Sequence, residues 1–185
     1  MKTGDIPPGS TIAVISKGFL PDQIRKYMAD YGRKQGYKYG YPYNHFEKVI
    51  EYDGKLVSLG ARSKGAAMTP VDEYLTKHQN HLILSPVVPL SELEIRQQEA
   101  YAKIIVYEEH RKYQYGLLLA YLLWIKTNIK WLKQGDKRMV CYELVARFDN
   151  LVDRRGVSDL DLPTVYELIE NKHFKPETEP IKFEI

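Results

Sequence analysis

The stretch His45-Phe-Glu-Lys-Val-Ile-Glu-Tyr-Asp-Gly-Lys-Leu-Val-Ser-Leu-Gly-Ala61 contains two runs rich in aliphatic, β-branched and aromatic residues. Asp53-Gly54 lies between the runs, and this dipeptide favours a two-residue turn that joins antiparallel strands. We therefore predict a β-hairpin whose strands are His45–Tyr52 and Lys55–Ala61. Because a hairpin needs further strands or a helix to be stable, the rest of the fold must be built around this stretch.

The two-residue turn also fixes which side chains meet across the hairpin. The register that it sets places Arg62 opposite His45. Gly60 and Ser58 are then the nearest residues of the second strand on the face that carries His45. The sequence therefore predicts that no carboxylate stands opposite this histidine.

Regular elements continue on both sides of the hairpin. Short apolar runs predict strands at Thr11–Ile15 and His81–Val88. Helical spacing and capping residues predict helices over 21–32, 71–75, 91–133 with a break near 111–116, and 141–152. The pattern indicates one α+β domain over residues 1–185, in which a small antiparallel sheet or barrel packs against helices. Residues 173–185 are predicted to form a surface tail.

The overall composition argues against several classes of protein. A chain of 185 residues with a 44% hydrophobic and a 28% charged fraction is typical of a globular domain. The net charge of +3 is too small for a strong general attraction to nucleic acid, so nucleic-acid binding is not expected. The N-terminus lacks the apolar core of a signal peptide, and the most apolar run, Gly116–Ile125, is about half a membrane span. We expect a cytoplasmic or virion-associated protein without a transmembrane segment, of unknown oligomeric state.

The chain contains one cysteine, Cys141, at the start of the last predicted helix. A single cysteine forms no intrachain disulfide. One interpretation is core packing, because positions 141, 144, 145, 148 and 152 share a helix face and are Cys, Leu, Val, Phe and Val. The other is a nucleophile, because the free N–H groups of a first helical turn and the preceding Lys137 and Arg138 favour a thiolate.

A nucleophilic thiol needs a base, and five histidines are available. His45 is the best placed, because it opens a strand and is therefore held rigidly. His78 and His81 have a spacing that could supply two metal ligands, but no third ligand follows, so we predict no metal and no cofactor. His110 lies in a charged helical segment, and His173 lies near the tail.

Five sequence elements then occur in a recognisable order. They are Gly4-Asp5-Ile6, Tyr43-Asn44-His45, Lys64–Leu75, Tyr113–Leu119 and Cys141-Tyr-Glu-Leu-Val145. Together they resemble the circularly permuted papain-like cysteine amidases and peptidases related to the NlpC group, of the YiiX and YycO type. The resemblance covers residues 4–170, and it is carried by the ordered set rather than by any single motif.

The resemblance implies a permuted papain-like fold and a cysteine hydrolase in which Cys141 is the nucleophile and His45 the base. Attack of the thiolate on a carbonyl carbon would give a thioester that water or another acceptor resolves. The backbone N–H of Cys141 is a natural oxyanion donor, and Tyr113 and Tyr115 are candidates to line that site. The expected substrate is a peptide, such as a peptidoglycan peptide, or a lipid-linked acyl group.

The chain departs from this family at two positions. Gly60 stands where the family usually has a polar, often acidic, third residue that orients the histidine. Ser58 is the replacement that a register slip or a bulge would bring into reach. Tyr142 stands where a small serine is usual and is expected to crowd the nucleophile. These departures support an alternative function, that of a catalytically degenerate papain-like module used for binding or assembly in a larger particle.

An aromatic and basic segment leads into His45. Gly36-Tyr-Lys-Tyr-Gly-Tyr-Pro-Tyr-Asn44 follows a helix that carries Arg25 and Lys26. Such a mixture could stack sugars or bases and contact phosphates. The alternative is a loop whose tyrosines pack on their own domain. Because the loop leads directly into His45, Tyr43 is a further candidate to line the substrate.

Overall fold

Helices pack against an antiparallel sheet, which confirms the predicted α+β class. The structure is a computed structural model, and it describes residues 5–109, 112–113, 138–139, 141–152, 164–170 and 172–185. The helix predicted beyond residue 109 falls outside these ranges, apart from residues 112–113, and so do His110 and Lys137. No helix within these ranges is long and apolar enough to cross a membrane.

Six strands form the main sheet, and every neighbouring pair is antiparallel. They are β1 (Thr11–Val14), β3 (His45–Tyr52), β4 (Lys55–Arg62), β5 (Gly65–Pro70), β6 (His81–Pro86) and β9 (Phe174–Pro176). The order across the sheet is β5-β4-β3-β1-β6-β9, with β5 and β9 at the edges. The strands that the structure describes therefore form an open sheet and not a closed barrel.

Among the residues that the structure describes, two short strand pairs lie outside the main sheet. In the first, β2 (Tyr39–Gly40) pairs antiparallel with β10 (Phe183–Glu184). In the second, β7 (Lys112–Tyr113) pairs in parallel with β8 (Arg138–Met139). The second pair ends just before the cysteine helix.

The described α-helices are α1 (Phe19–Lys34), α2 (Val71–Lys77), α3 (Glu92–Lys103), α4 (Cys141–Leu151) and α5 (Val165–Ile169). The predicted capping box is present at the start of α3, where the Ser91 hydroxyl accepts from the N–H of Glu94 and the Glu94 carboxylate accepts from the N–H of Ser91. The α3 helix continues into a π-helical turn, Ile104–Glu108. The start of α4 at Cys141 agrees with the prediction.

The central hairpin has the predicted turn and register. Asp53 and Gly54 have φ angles of 48° and 68°, which are the left-handed values that a two-residue turn of this kind requires. The two strands pair in one register from Tyr52 with Lys55 to Lys48 with Leu59. No slip or bulge interrupts this part of the hairpin.

The β3 strand is covered on both faces. Phe46 faces α4, and its ring centroid lies 4.9 Å from that of Tyr142. Val49 faces the opposite side and packs in a cluster with Val71 and Tyr74 of α2. Polar side chains in such a strand are removed from water, so each must find a partner inside the protein.

Sequence reasoning missed both edge strands. The β5 strand was not predicted, and its alanine-rich sequence carries little strand propensity. The β9 strand lies within the segment predicted as a surface tail, where buried Phe174 pairs with Pro86 and exposed residues follow. Both strands are defined by the neighbour with which they pair more than by their own sequence.

Candidate active site

His45 and Cys141 each begin a secondary-structure element, and the fold brings these two ends together. His45 is the first residue of β3 and pairs with Val14 at the end of β1, while Cys141 is the first residue of α4. The thiol is 2% exposed, and the imidazole is 20% exposed. The Cys141 side chain lies close enough to the imidazole to raise the pKa of His45. The candidate nucleophile and the candidate base therefore share one site.

A carboxylate contacts this histidine, and it comes from the same strand. Nε2 of His45 lies 3.1 Å from Oε1 of Glu47. Residues i and i+2 of a strand share a face, so β3 itself places the two side chains together. The prediction that no carboxylate stands opposite His45 on the second strand therefore leaves out Glu47, which supplies a carboxylate from the same strand as the histidine. The spacing His45-x-Glu47 was the signal in the sequence that could have found this residue.

Glu47 is fully buried and is held by two residues of β4. Nε and Nη2 of Arg62 donate to Oε1 and Oε2 of Glu47, each at 2.8 Å. The Ser58 hydroxyl donates to Oε2 at 2.6 Å. Burial disfavours the charged carboxylate, but hydrogen bonds from His45 and Arg62 outweigh burial and lower the pKa of Glu47 to about 2. Glu47 is therefore ionised at neutral pH and accepts a hydrogen bond from Nε2 of His45.

Gly60 makes room for this carboxylate. A Cβ atom on Gly60 would lie 2.5 Å from Cδ and 2.7 Å from Cγ of Glu47, which is much closer than non-bonded carbon atoms approach. The acid that the resemblance predicts on β4 is therefore absent, and a carboxylate of the neighbouring strand β3 lies over Gly60 instead.

The charges around His45 favour its protonated form. Burial disfavours the imidazolium, but the interactions of the ring with the Cys141 and Glu47 side chains outweigh burial and raise the pKa of His45 to about 10. At neutral pH the ring is therefore a cation between a sulfur and a carboxylate. An imidazolium beside a cysteine sulfur is the charge arrangement of an activated thiol.

An open cleft of about 460 Å³ reaches His45 and Glu47. Arg62, Tyr74 and His78 form part of its wall. The rings of Tyr74 and His78 pack with centroids 4.4 Å apart, and burial lowers the pKa of His78, so this second imidazole is neutral at neutral pH. The cleft gives solvent and small ligands a route to the base and to the acid that contacts it.

The remaining candidate residues have other contacts or are only partly described. Ser58 donates to Glu47 and not to His45, so it reaches the histidine through the acid. Tyr43 is 1% exposed, and its hydroxyl accepts from the backbone N–H of Ile181 at 3.1 Å. Tyr113 is described by its backbone alone, as part of β7, and Tyr115 lies outside the described residues. The roles expected of these two tyrosines stay predictions.

Tyr142, expected to crowd the nucleophile, lies in the core instead. It is 2% exposed and packs on Phe46, on the inner side of α4. The second half of the aromatic loop is also internal, where Tyr41 and Tyr43 are buried, whereas Tyr37 and Tyr39 are exposed and Tyr37 stacks on Tyr166 with centroids 4.2 Å apart. The packing interpretation of that loop therefore accounts for Tyr41 and Tyr43.

Comparison with known proteins identifies the fold. No protein-family model and no curated protein sequence matches the chain. The structure is similar to the crystal structure of the metalloprotein yiiX from Escherichia coli O157:H7, DUF1105, with a TM-score of 0.66. The similarity covers 94% of this chain and 97% of yiiX at 12% sequence identity. At this identity the likeness shows a YiiX-like fold.

Proposed function

We propose that this protein is a cysteine hydrolase that cleaves an amide or other acyl bond. Cys141 is the nucleophile, His45 the base, and Glu47 the residue that orients the base. One observation supports these assignments above all, namely the contact of His45 with Glu47, which Arg62 fixes in turn, beside a Cys141 side chain that is close enough to raise the pKa of His45. A nucleophile, a base and an orienting acid in this order are the parts of a catalytic triad. The YiiX-like fold supports the assignment by analogy alone.

The side chains suggest a division of roles between the two ring nitrogens. Nε2 of His45 is engaged by Glu47, which leaves Nδ1 to exchange a proton with the thiol. Sγ of Cys141 attacks the carbonyl carbon, a C–S bond forms, and the carbonyl electrons move to the oxygen. The backbone N–H of Cys141, at the start of α4, is a suitable donor to that oxyanion.

The tetrahedral intermediate then collapses to a thioester, and water hydrolyses that thioester in a second step. The collapse cleaves the bond to the leaving amine or alcohol, which takes the proton from His45. Water gives a proton to His45 and attacks the thioester, which releases the carboxylic acid and returns the thiol. Peptides, including peptidoglycan peptides, and lipid-linked acyl groups all present the carbonyl carbon that this sequence of steps needs.

The proposed reaction involves no metal. Although yiiX is described as a metalloprotein, the residues that this structure describes contain no cluster of three or more histidine, cysteine, aspartate or glutamate side chains suited to a metal ion. Glu47, the carboxylate that contacts His45, is already paired with the Arg62 cation. A metal at this carboxylate would meet that positive charge, so the described residues do not fit one.

The test exploits the single cysteine of the chain, since any alkylation reports on Cys141. Wild type should react with iodoacetamide near pH 6 at least about tenfold faster than the His45→Ala variant, because the imidazolium stabilises the thiolate. The Cys141→Ala variant should not react, and His173→Ala, near the C-terminus, should match wild type. Acylation by p-nitrophenyl acetate, followed by mass spectrometry, should then show formation and hydrolysis of an acetyl-enzyme.

The degenerate module is the alternative that the same experiment can favour. Equal alkylation rates for wild type and His45→Ala, with no acetyl-enzyme in either, would favour a fold retained for binding or assembly. The original reason for that alternative was the missing acid at Gly60. Because Glu47 contacts the histidine, the hydrolase is the function that the geometry supports best.

A further inference from the structure

Lys48 and Asp149 form an ion pair in the protein interior, between the strand that carries His45 and the helix that carries Cys141. Lys48 is fully buried, and Asp149 is 3% exposed. Nζ of Lys48 also donates to Oγ1 of Thr11 on β1 at 3.2 Å. The proposed reaction uses neither Lys48 nor Asp149, so a costly buried pair of charges requires another explanation.

The position of the pair relates it to the candidate active site. Lys48 follows His45 by three residues, about 10 Å along a strand. Asp149 follows Cys141 by eight residues, about 12 Å along a helix. The β3 strand and the α4 helix are therefore joined at two points, by the histidine and cysteine at their N-terminal ends and by the ion pair further along.

Between these two points the interface is apolar. Phe46 packs on Tyr142, and Ile50 shares a cluster with Leu144 and Phe148. Apolar burial has no direction, so it defines the rotation and the translation of a helix only loosely. A rotation of α4 by one residue is about 100° and would carry the thiol away from the imidazole. An ion pair with a defined length and direction restricts that movement.

We propose that Lys48 and Asp149 are positioning residues, which set the register of α4 on β3 and so hold Cys141 within reach of His45. Their importance rests on the proposed function, because register matters most if the thiol and the imidazole act together. A buried ion pair adds little stability relative to apolar residues of similar volume, but it can specify one arrangement. The pair therefore affects the alignment of the reacting groups more than the free energy of unfolding.

A double variant, Lys48→Met with Asp149→Leu, tests this role without leaving a buried charge unpaired. We expect it to unfold cooperatively in urea with a free energy close to that of wild type. We also expect its cysteine to react with iodoacetamide near pH 6 at least about tenfold more slowly than wild type, approaching the rate of His45→Ala. A merely structural pair would not change this rate once stability is retained.

The matched control removes an exposed ion pair of α1, by Asp30→Asn with Arg33→Gln, and should leave the alkylation rate unchanged. A wild-type rate in the buried double variant would overturn the positioning role. Failure of that variant to fold would also overturn it, because the pair would then be needed for stability.

The two proposals fail in different ways. If wild type and His45→Ala react alike, the proposed function fails, and the positioning role fails with it. If they differ and the buried double variant reacts like wild type, only the positioning role is lost.

Discussion

The carboxylate of Glu47 occupies the space that a side chain at Gly60 would need, with Cδ of Glu47 2.5 Å from the position of a Cβ on that glycine. Gly60→Ala therefore forces the Glu47 side chain, and with it the hydrogen bond to His45, out of place. We expect the variant to lose about 1–3 kcal/mol of unfolding free energy, as overpacked cores do. We also expect slower alkylation of Cys141 near pH 6.

A compensating change separates this clash from a general loss of packing. In the double variant Gly60→Ala with Glu47→Asp, the shorter acid withdraws from the added methyl group. Urea unfolding should show that the double variant loses less unfolding free energy than the sum of the losses in the two single variants. Strict additivity would mean that Gly60 and Glu47 do not compete for the same space.

Glu47→Gln tests the orienting role of the acid directly. The amide keeps the volume of the side chain but removes the negative charge that accepts from Nε2 and favours the imidazolium. We expect at least about a tenfold loss in the rate of acylation by p-nitrophenyl acetate near pH 7. The matched control is Glu51→Gln, on the same strand but outside the site, which should keep the wild-type rate. An unchanged rate in both variants would remove Glu47 from the proposed triad.

Ser58→Ala should have a smaller effect than Glu47→Gln. Ser58 donates to Oε2 of Glu47, while Arg62 donates to both oxygens, so the carboxylate stays held after the hydroxyl is lost. We expect a loss of about 1 kcal/mol in unfolding free energy, the usual contribution of one hydrogen bond. Acylation should slow by no more than a few fold. A loss of acylation rate as large as that of Glu47→Gln would indicate that Ser58 orients His45 directly.

The elements that could be predicted from the sequence are those that local signals decide. The Asp53-Gly54 turn has left-handed backbone angles at both residues, and few other dipeptides accept such angles. The hairpin and its register could therefore be predicted from this dipeptide. The capping box that begins with Ser91 likewise marks a helix start without tertiary help. The edge strands carry no such signal, because β9 is three residues long and exists through its pairing with β6.

The orienting acid was missed in the sequence because only one of two rules was applied. Cross-strand pairing directed attention to Gly60, while the same-strand spacing of His45 and Glu47 was left aside. The choice between them depends on the reach of a glutamate side chain over a neighbouring residue without a Cβ atom. Such a fit is a property of the packed structure, and neither strand shows it alone.

Acid pH should weaken the protein through Glu47 in particular. Its pKa is lowered to about 2 in the folded protein, from an ordinary value of 4.5. Unfolding therefore raises the affinity of the Glu47 carboxylate for protons. Its contribution to the free energy of unfolding is thus present above pH 4.5 and is lost as the pH falls toward 2. The size of the shift corresponds to about 3 kcal/mol. Urea unfolding of wild type at a series of pH values should show this loss, while Glu47→Gln should show a correspondingly flatter dependence. Parallel curves for the two proteins would contradict an ionised Glu47 in the folded state, and Glu51→Gln should follow wild type throughout.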